Sequence, residues 1–194
     1  MKNIGGILFI LFLFTACRHS DKAIVNPSFA DSLITHYSPS EMARTADSNL
    51  AFWERRMEKL PDNFGNGPKY ASALSSRFHL YGDIHDLLKA DSLFKQSNEA
   101  NKEQEPGIFR TLASLAMLRH RFQEAGSFLN RAIVIEGRSF PNTFLEFDVS
   151  FELGQYLKAK SLLQSLKTGN SYGYLFRRSK YEHSVVHWIQ PSPA

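Results

Sequence analysis

The chain has 194 residues, 43% of them hydrophobic and 22% charged, which is enough apolar material for one packed domain and too much for wholesale disorder. A formal charge of +4 allows attraction to an anionic lipid surface but is not the dense basic stripe of a nucleic-acid binder, so no nucleic-acid partner is expected. Cys17 is the sole cysteine, which excludes a disulfide framework within one chain.

Lys2 gives the N-terminus a short positive end, and Ile4 to Phe14 is apolar apart from Gly5 and Gly6. That run is too short to span a bilayer, which takes about 20 residues, but it fits a secretory signal core. Phe14-Thr15-Ala16-Cys17 resembles a bacterial lipobox, with Phe14 where the strict pattern prefers Leu. The resemblance implies a signal peptide over residues 1–16, cleavage before Cys17 and diacylglycerol on its thiol. It places the protein on a bacterial membrane, the outer one by expectation, facing the periplasm or the surface. Several acyl chains would anchor it durably where a single chain would not.

Residues 17–40 read as a polar tether broken by Asn26-Pro27 and Ser38-Pro39-Ser40, with a short helix over Phe29 to Tyr37. An N-terminal helix is expected over 41–62. Leu50, Trp53 and Met57 share one face of it, and charged side chains fill the others. Pro61-Asp62-Asn63 stops it, and Asn63 to Pro68 is expected as a loop. Gly65-Asn66-Gly67 runs into Pro68, so it reads as a linker and not as a phosphate cradle.

Helical hairpins then become regular over 69–182. Lys69 to Tyr81 forms a first helix, Gly82-Asp83 a turn, and Ile84 to Ala100 a second helix, with Ala90 and Phe94 at its packing positions. The next pair places Phe109, Leu112, Ala113 and Ala116 on one inward face and Phe122, Ala125, Leu129 and Ala132 on the other. These last four are answered 34 positions on by Tyr156, Ala159, Leu163 and Leu166, in a third pair running from Phe140 to about Lys167. Ser171 to Tyr181 opens a fourth that finds no second helix, and 183–194 is an atypical apolar tail.

A 34-residue period with alternating large and small packing positions resembles the tetratricopeptide repeat. The first copy carries about three extra residues between Ile84 and Ala90, and the second has His120 and Gly137 where the family uses Gly and Pro. The resemblance implies an all-α solenoid of helix–turn–helix units, about three hairpins plus an incomplete copy. It also implies a groove for another envelope protein or peptide. Its wall would be Lys69, Ser72, Ser76 and His79, then Arg110, Ser114 and Met117, then Phe144, Asp148, Phe151 and Glu152, extended by Arg178.

Chemistry is not expected. No Gly-x-Ser-x-Gly elbow, Walker-type loop or dinucleotide turn occurs, and neither His79 with His85 nor His183 with His187 has zinc-site spacing. Glu103 and Glu105 read as solvated charges in a connection. A non-catalytic scaffold without cofactor or metal is therefore expected. The alternatives are a shortened relative of glycan-capturing outer-membrane lipoproteins or of a signalling sensor that carries such repeats.

Overall fold

The structure, a computed structural model, describes residues 25–61, 63–166 and 171–184. Those residues are all-helical, with nine helices and no strand. Cys17 with its apolar leader, and the tail from 185 onward, lie outside them.

Two compact units divide at Ser40. In the first, helix α1 (Pro27–Thr35) opens with Asn26, whose Oδ1 accepts the Ser28 N–H at 3.0 Å, and Pro27 takes the first turn, where no N–H is needed. None of its residues is buried. The helix starts and stops two residues earlier than the expected Phe29–Tyr37 because Asn26 supplies the cap.

The second unit holds α2 (Glu41–Lys59), α3 (Asn66–Tyr81), α4 (Ile84–Ala100), α5 (Pro106–Leu118), α6 (Phe122–Glu136), α7 (Phe140–Glu152), α8 (Tyr156–Ser165) and α9 (Tyr172–Ser184). Each packs on the next, and α7 also touches α5 and α9, whereas no Cα atoms of α3 and α5 come within 8 Å of each other, although both feed one buried cluster. Apolar residues recur every three or four positions, so each helix turns one stripe inward and leaves the charged residues in water.

Three buried clusters follow one another along the chain. Leu50, Leu74, Leu87, Phe94 and Leu112 join α2 to α5; Ala113, Ala116, Ala125, Leu129 and Val149 join α5 to α7; Phe147, Ala159, Leu163, Leu166 and Tyr174 join α7 to α9. Residues 34 apart occupy matching places. Phe122 and Tyr156 each begin a helix, Ala125 and Ala159 are both 0% exposed, and Leu129, Leu163, Ala132 and Leu166 are all buried.

The turns match as well. Arg121 N–H reaches Ala116 O at 2.9 Å, and Gln155 N–H reaches Ser150 O at 2.8 Å. His120 N–H meets Met117 O, and Gly154 N–H meets Phe151 O, both at 3.0 Å. These bonds close each helix on a left-handed residue and satisfy carbonyls that would otherwise be orphaned. Gly154 adopts that conformation at φ 71°; His120 adopts it at φ 55° against the steric cost of its Cβ.

One boundary differs from expectation for a clear reason. Helix α3 begins at Asn66 and not at Lys69, because Asn66 is buried and tied down: its amide donates to Leu60 O at 3.0 Å and its Oδ1 accepts from Arg56 Nε at 3.3 Å. Pro68 then sits in the first turn, where a missing N–H costs nothing. Helix α2 stops at Lys59, before Pro61, and α9 runs from Tyr172 to Ser184, slightly later than expected. Glu103 and Glu105 are also more than solvated charges. Glu103 pairs with Arg131, and Glu105 caps α5 by accepting the Gly107 N–H at 3.1 Å.

The matched turns respond oppositely to substitution. Gly154→Ala is expected to lower stability by about 1–2 kcal/mol, the cost of a Cβ in the left-handed region. His120→Gly is expected to raise it by about 0.5 kcal/mol, less than the full relief because the edge contact of His120 with Phe122 goes with it. Urea denaturation of the three proteins measures both.

Candidate functional site

The residues expected to form a wall fall into three groups. On α3, Lys69, Ser72, Ser76 and His79 are all exposed, and their spacing sets them in one stripe along the helix. The Ser72 hydroxyl donates to Pro68 O at 2.8 Å and Ser76 to Ser72 O at 2.9 Å. Ser114, exposed on α5, donates to Arg110 O at 3.0 Å in the same way. With their protons turned back onto the helix, these serines present a narrow, uncharged surface.

The α5 residues divide. Arg110 pairs with Glu136 at the end of α6, and Glu136 also accepts from Ser139 Oγ at 2.8 Å. Arg110 first, and Ser139 after it, hold the Glu136 carboxyl below its ordinary range. Met117 is half-buried against the α5–α7 cluster.

The α7 residues face α9. The Arg177 guanidinium lies 4.2 Å from the Phe144 ring centroid, donates through Nε to Phe144 O at 3.2 Å, and pairs with Asp148. Lys180 binds Glu152 at 2.6 Å and sits 4.6 Å from the Phe151 ring centroid. Phe144 and Phe151 pack on the cluster around Phe147. Gly173 permits this approach, since a Cβ there would stand 3.1 Å from the Phe144 ring. These four residues thus lock α7 to α9, and Arg178 pairs within its own helix with Glu182 at 2.7 Å.

Burial pushes the Asp148 carboxyl above its ordinary pKa, although Arg177 pulls it the other way. The carboxylate is therefore only partly compensated, and its lock is sensitive to the loss of either partner.

One cleft was not foreseen from the sequence. A cleft of about 670 Å³ opens between the α2–α3 connection, the C-terminal part of α4 and the start of α5, with Met57, Phe64, Leu93 and Ile108 among its walls. Its sequence signals were the glycines around Asn66, which look like an ordinary linker, and the extra length of α4. Among the described residues no group of three His, Cys, Asp or Glu side chains is placed to hold a metal, and no helix is long and apolar enough to cross a membrane.

Removing one partner from the α7–α9 lock should be worse than neutralising the other. Arg177→Met is expected to cost about 2 kcal/mol, because it leaves a half-buried carboxylate without its partner. Asp148→Asn is expected to cost about 1 kcal/mol, since the amide still accepts a hydrogen bond. With its folded pKa raised, Asp148 binds protons more readily folded than unfolded, so its contribution to stability falls as pH rises from the ordinary carboxylate range through the raised value. The deficit of Arg177→Met should therefore shrink on acidification, while Asp148→Asn should lose this pH dependence, both read by denaturation across pH.

Compared with known proteins, the chain matches no family model, and none of the curated proteins matches it.

Proposed function

We propose that this protein is a non-catalytic scaffold of tetratricopeptide type, held to a bacterial membrane by acylated Cys17 and recruiting another envelope protein or peptide. The observation that carries the reading is the correspondence at 34 positions, which extends beyond residue identity to burial and to turn hydrogen bonds. Ala125 and Ala159 are equally buried, and the Ala116–Arg121 and Ser150–Gln155 bonds close equivalent turns. Repeated units of this kind bury a continuous core only by stacking, and their exposed helix faces form long surfaces suited to extended partners.

The binding wall is best assigned to the exposed stripe of α3 together with Ser114 of α5. The three serines donate only within their own helices among the described residues, and their small hydroxyls let another chain approach closely. The α7 residues belong to the α7–α9 lock and contribute to the wall only through its shape. Attachment rests on the apolar run from Ile4 to Phe14 followed at once by Ala16-Cys17.

Two measurements test this. Cys17→Ala should move the protein from the membrane fraction to the soluble fraction, and unchanged partition would remove the anchor from the reading. Mild crosslinking of the wild type should recover a defined envelope partner. Ser76→Arg with Ser114→Arg should reduce that recovery by about tenfold without altering stability, as expected for bulky charges placed in the centre of an interface.

A further inference from the structure

We propose that α1 lies in the interface of the bilayer that anchors the chain, with its apolar face buried just below the lipid headgroups. The inference rests on the anchoring of Cys17 and deepens it, by giving the chain a second point of contact with the membrane.

Helix α1 is amphipathic over its whole length. At the helical repeat, Phe29, Ala30, Leu33 and Ile34 fall within one arc of about 140°, which Tyr37 continues just past the last turn. The other side carries Ser28, Asp31, Ser32 and Thr35. Its polar groups turn back onto the helix: Thr35 Oγ1 donates to Asp31 O at 2.7 Å, and His36 Nδ1 to Ser32 O at 2.8 Å. Phe29, Leu33, Ile34 and Tyr37 are between 58% and 75% exposed, and no residue of the helix is buried. A helix of nine residues is marginal in water and takes its stability from what its apolar stripe packs against. The face therefore calls for an apolar cover.

The covalent anchor decides what that cover is. Residues 18–26 separate Cys17 from Pro27, and in any conformation they span no more than about 35 Å. With the Cys17 acyl chains in the bilayer, α1 never leaves the neighbourhood of the lipid surface. Contact with lipid is then an intramolecular event, whereas a partner protein has to be met from solution. A short apolar face adds to an acyl chain in the same way that a second acyl chain does. The helix is about 14 Å long, which suits it to lying in the interface plane and not to crossing. Charge contributes nothing net: between Cys17 and Tyr37, Arg18 and Lys22 are balanced by Asp21 and Asp31. Apolar burial alone drives the contact, so it needs no anionic lipid and is insensitive to salt. Asp31 stands nearly opposite Leu33 around the helix and stays in water when the apolar arc is buried. Tyr37, at the end of that arc, has an apolar ring with a polar tip, the kind of side chain that settles at headgroup level.

The test uses the full acylated chain, extracted in detergent and reconstituted into phosphatidylcholine vesicles, with a nitroxide label on Leu33→Cys or, separately, on Asp31→Cys. Cys17 is the sole natural cysteine, so its acylation leaves the introduced thiol as the one that takes the label. Oxygen concentrates in lipid, and a water-soluble nickel chelate is excluded from it. The ratio of oxygen to nickel collisions is expected to be at least about threefold higher at position 33 than at position 31, as for a helix buried on one side. Raising salt should leave the ratio at 33 unchanged. Adding Phe29→Asp should bring it down to the value at 31 without lowering the melting temperature, since no residue of α1 is buried. Equal ratios at the two positions would overturn the inference, as would a ratio at 33 that falls with salt or resists Phe29→Asp. So would a label at 33 shielded from both oxygen and nickel, the signature of docking on protein, whether the repeat unit, a second copy or a partner. The proposals fail separately. Equal ratios in a chain whose mass shows acylated Cys17 refute the inference and leave the anchor, whereas an unmodified Cys17 refutes the anchor and the inference with it. A helix at depth in a protein for which crosslinking recovers no envelope partner refutes the scaffold and leaves the inference.

Discussion

Everything in the second unit depends on how closely two consecutive helices approach each other. Ala113 and Ala116 on α5 meet Ala125 on α6, and all three are fully buried in one cluster with Leu129. With only a methyl group at the contact, the backbones come near enough for Leu129 to fill the space toward α7, where Val149 receives it. Larger residues at the alanine positions would force the helices apart and leave the leucines without a complementary surface. The same division of labour recurs between Ala159 and Leu163 on α8, with Phe147 as the neighbour they fill against.

Because each cluster spans only three or four successive helices, the junctions between them can differ without disturbing one another. The α7–α9 junction is closed by Arg177 and Lys180, which combine charge pairing with contact over the Phe144 and Phe151 rings. The α4–α5 junction is built differently. Asp91, nearly buried, pairs with Arg119 at 2.7 Å and with Lys95 at 2.9 Å, and Lys95 reaches Glu124 at 3.3 Å on α6. This chain of charges draws α4 toward α5 and α6 near one end, while the other end stays apart and forms the cleft. Nearby, Arg77 lies among Asp47, Asp83 and Asp86 and ties the first turn to α2. Opposite charges at 3–4 Å in a partly dry setting are strong enough to fix orientation, but they carry a desolvation cost that apolar contacts do not.

Much of this was visible in the sequence, and the reason is local. The helices could be read because apolar residues recur at helical spacing. The matching of Phe122 with Tyr156 was legible because both begin a helix and so hold the same register. What escaped was decided by tertiary contacts. Asn66 looks like a loop residue and becomes a buried anchor only because the carbonyls of α2 lie within reach. Phe144 and Asp148 resemble a binding face until α9 arrives with Arg177, 29 residues beyond Asp148. Glu103 stays solvated, as its sequence context suggests, and additionally pairs with Arg131 of α6 at the surface. Spacing reports which residues share a helix face, and it does not report what that face meets.

The stretched α4 shows how a local insertion becomes a feature of the whole unit. In the shorter hairpins the first helix of one pair touches the first helix of the next, as α5 touches α7. Beside α4 that run of contacts is interrupted, since no Cα atoms of α3 and α5 come within 8 Å of each other. The interruption exposes apolar groups of α2, α4 and α5 that would otherwise be covered. The residues there come from the end of one helix, the start of another and a glycine-rich connection. Gly67 lies close against α4, where a Cβ would stand 3.1 Å from Ser97 Oγ. Gln96, Asn101 and Phe64 have no such packing role: two amides unpaired among the described residues and one ring held in solvent contribute little to the fold.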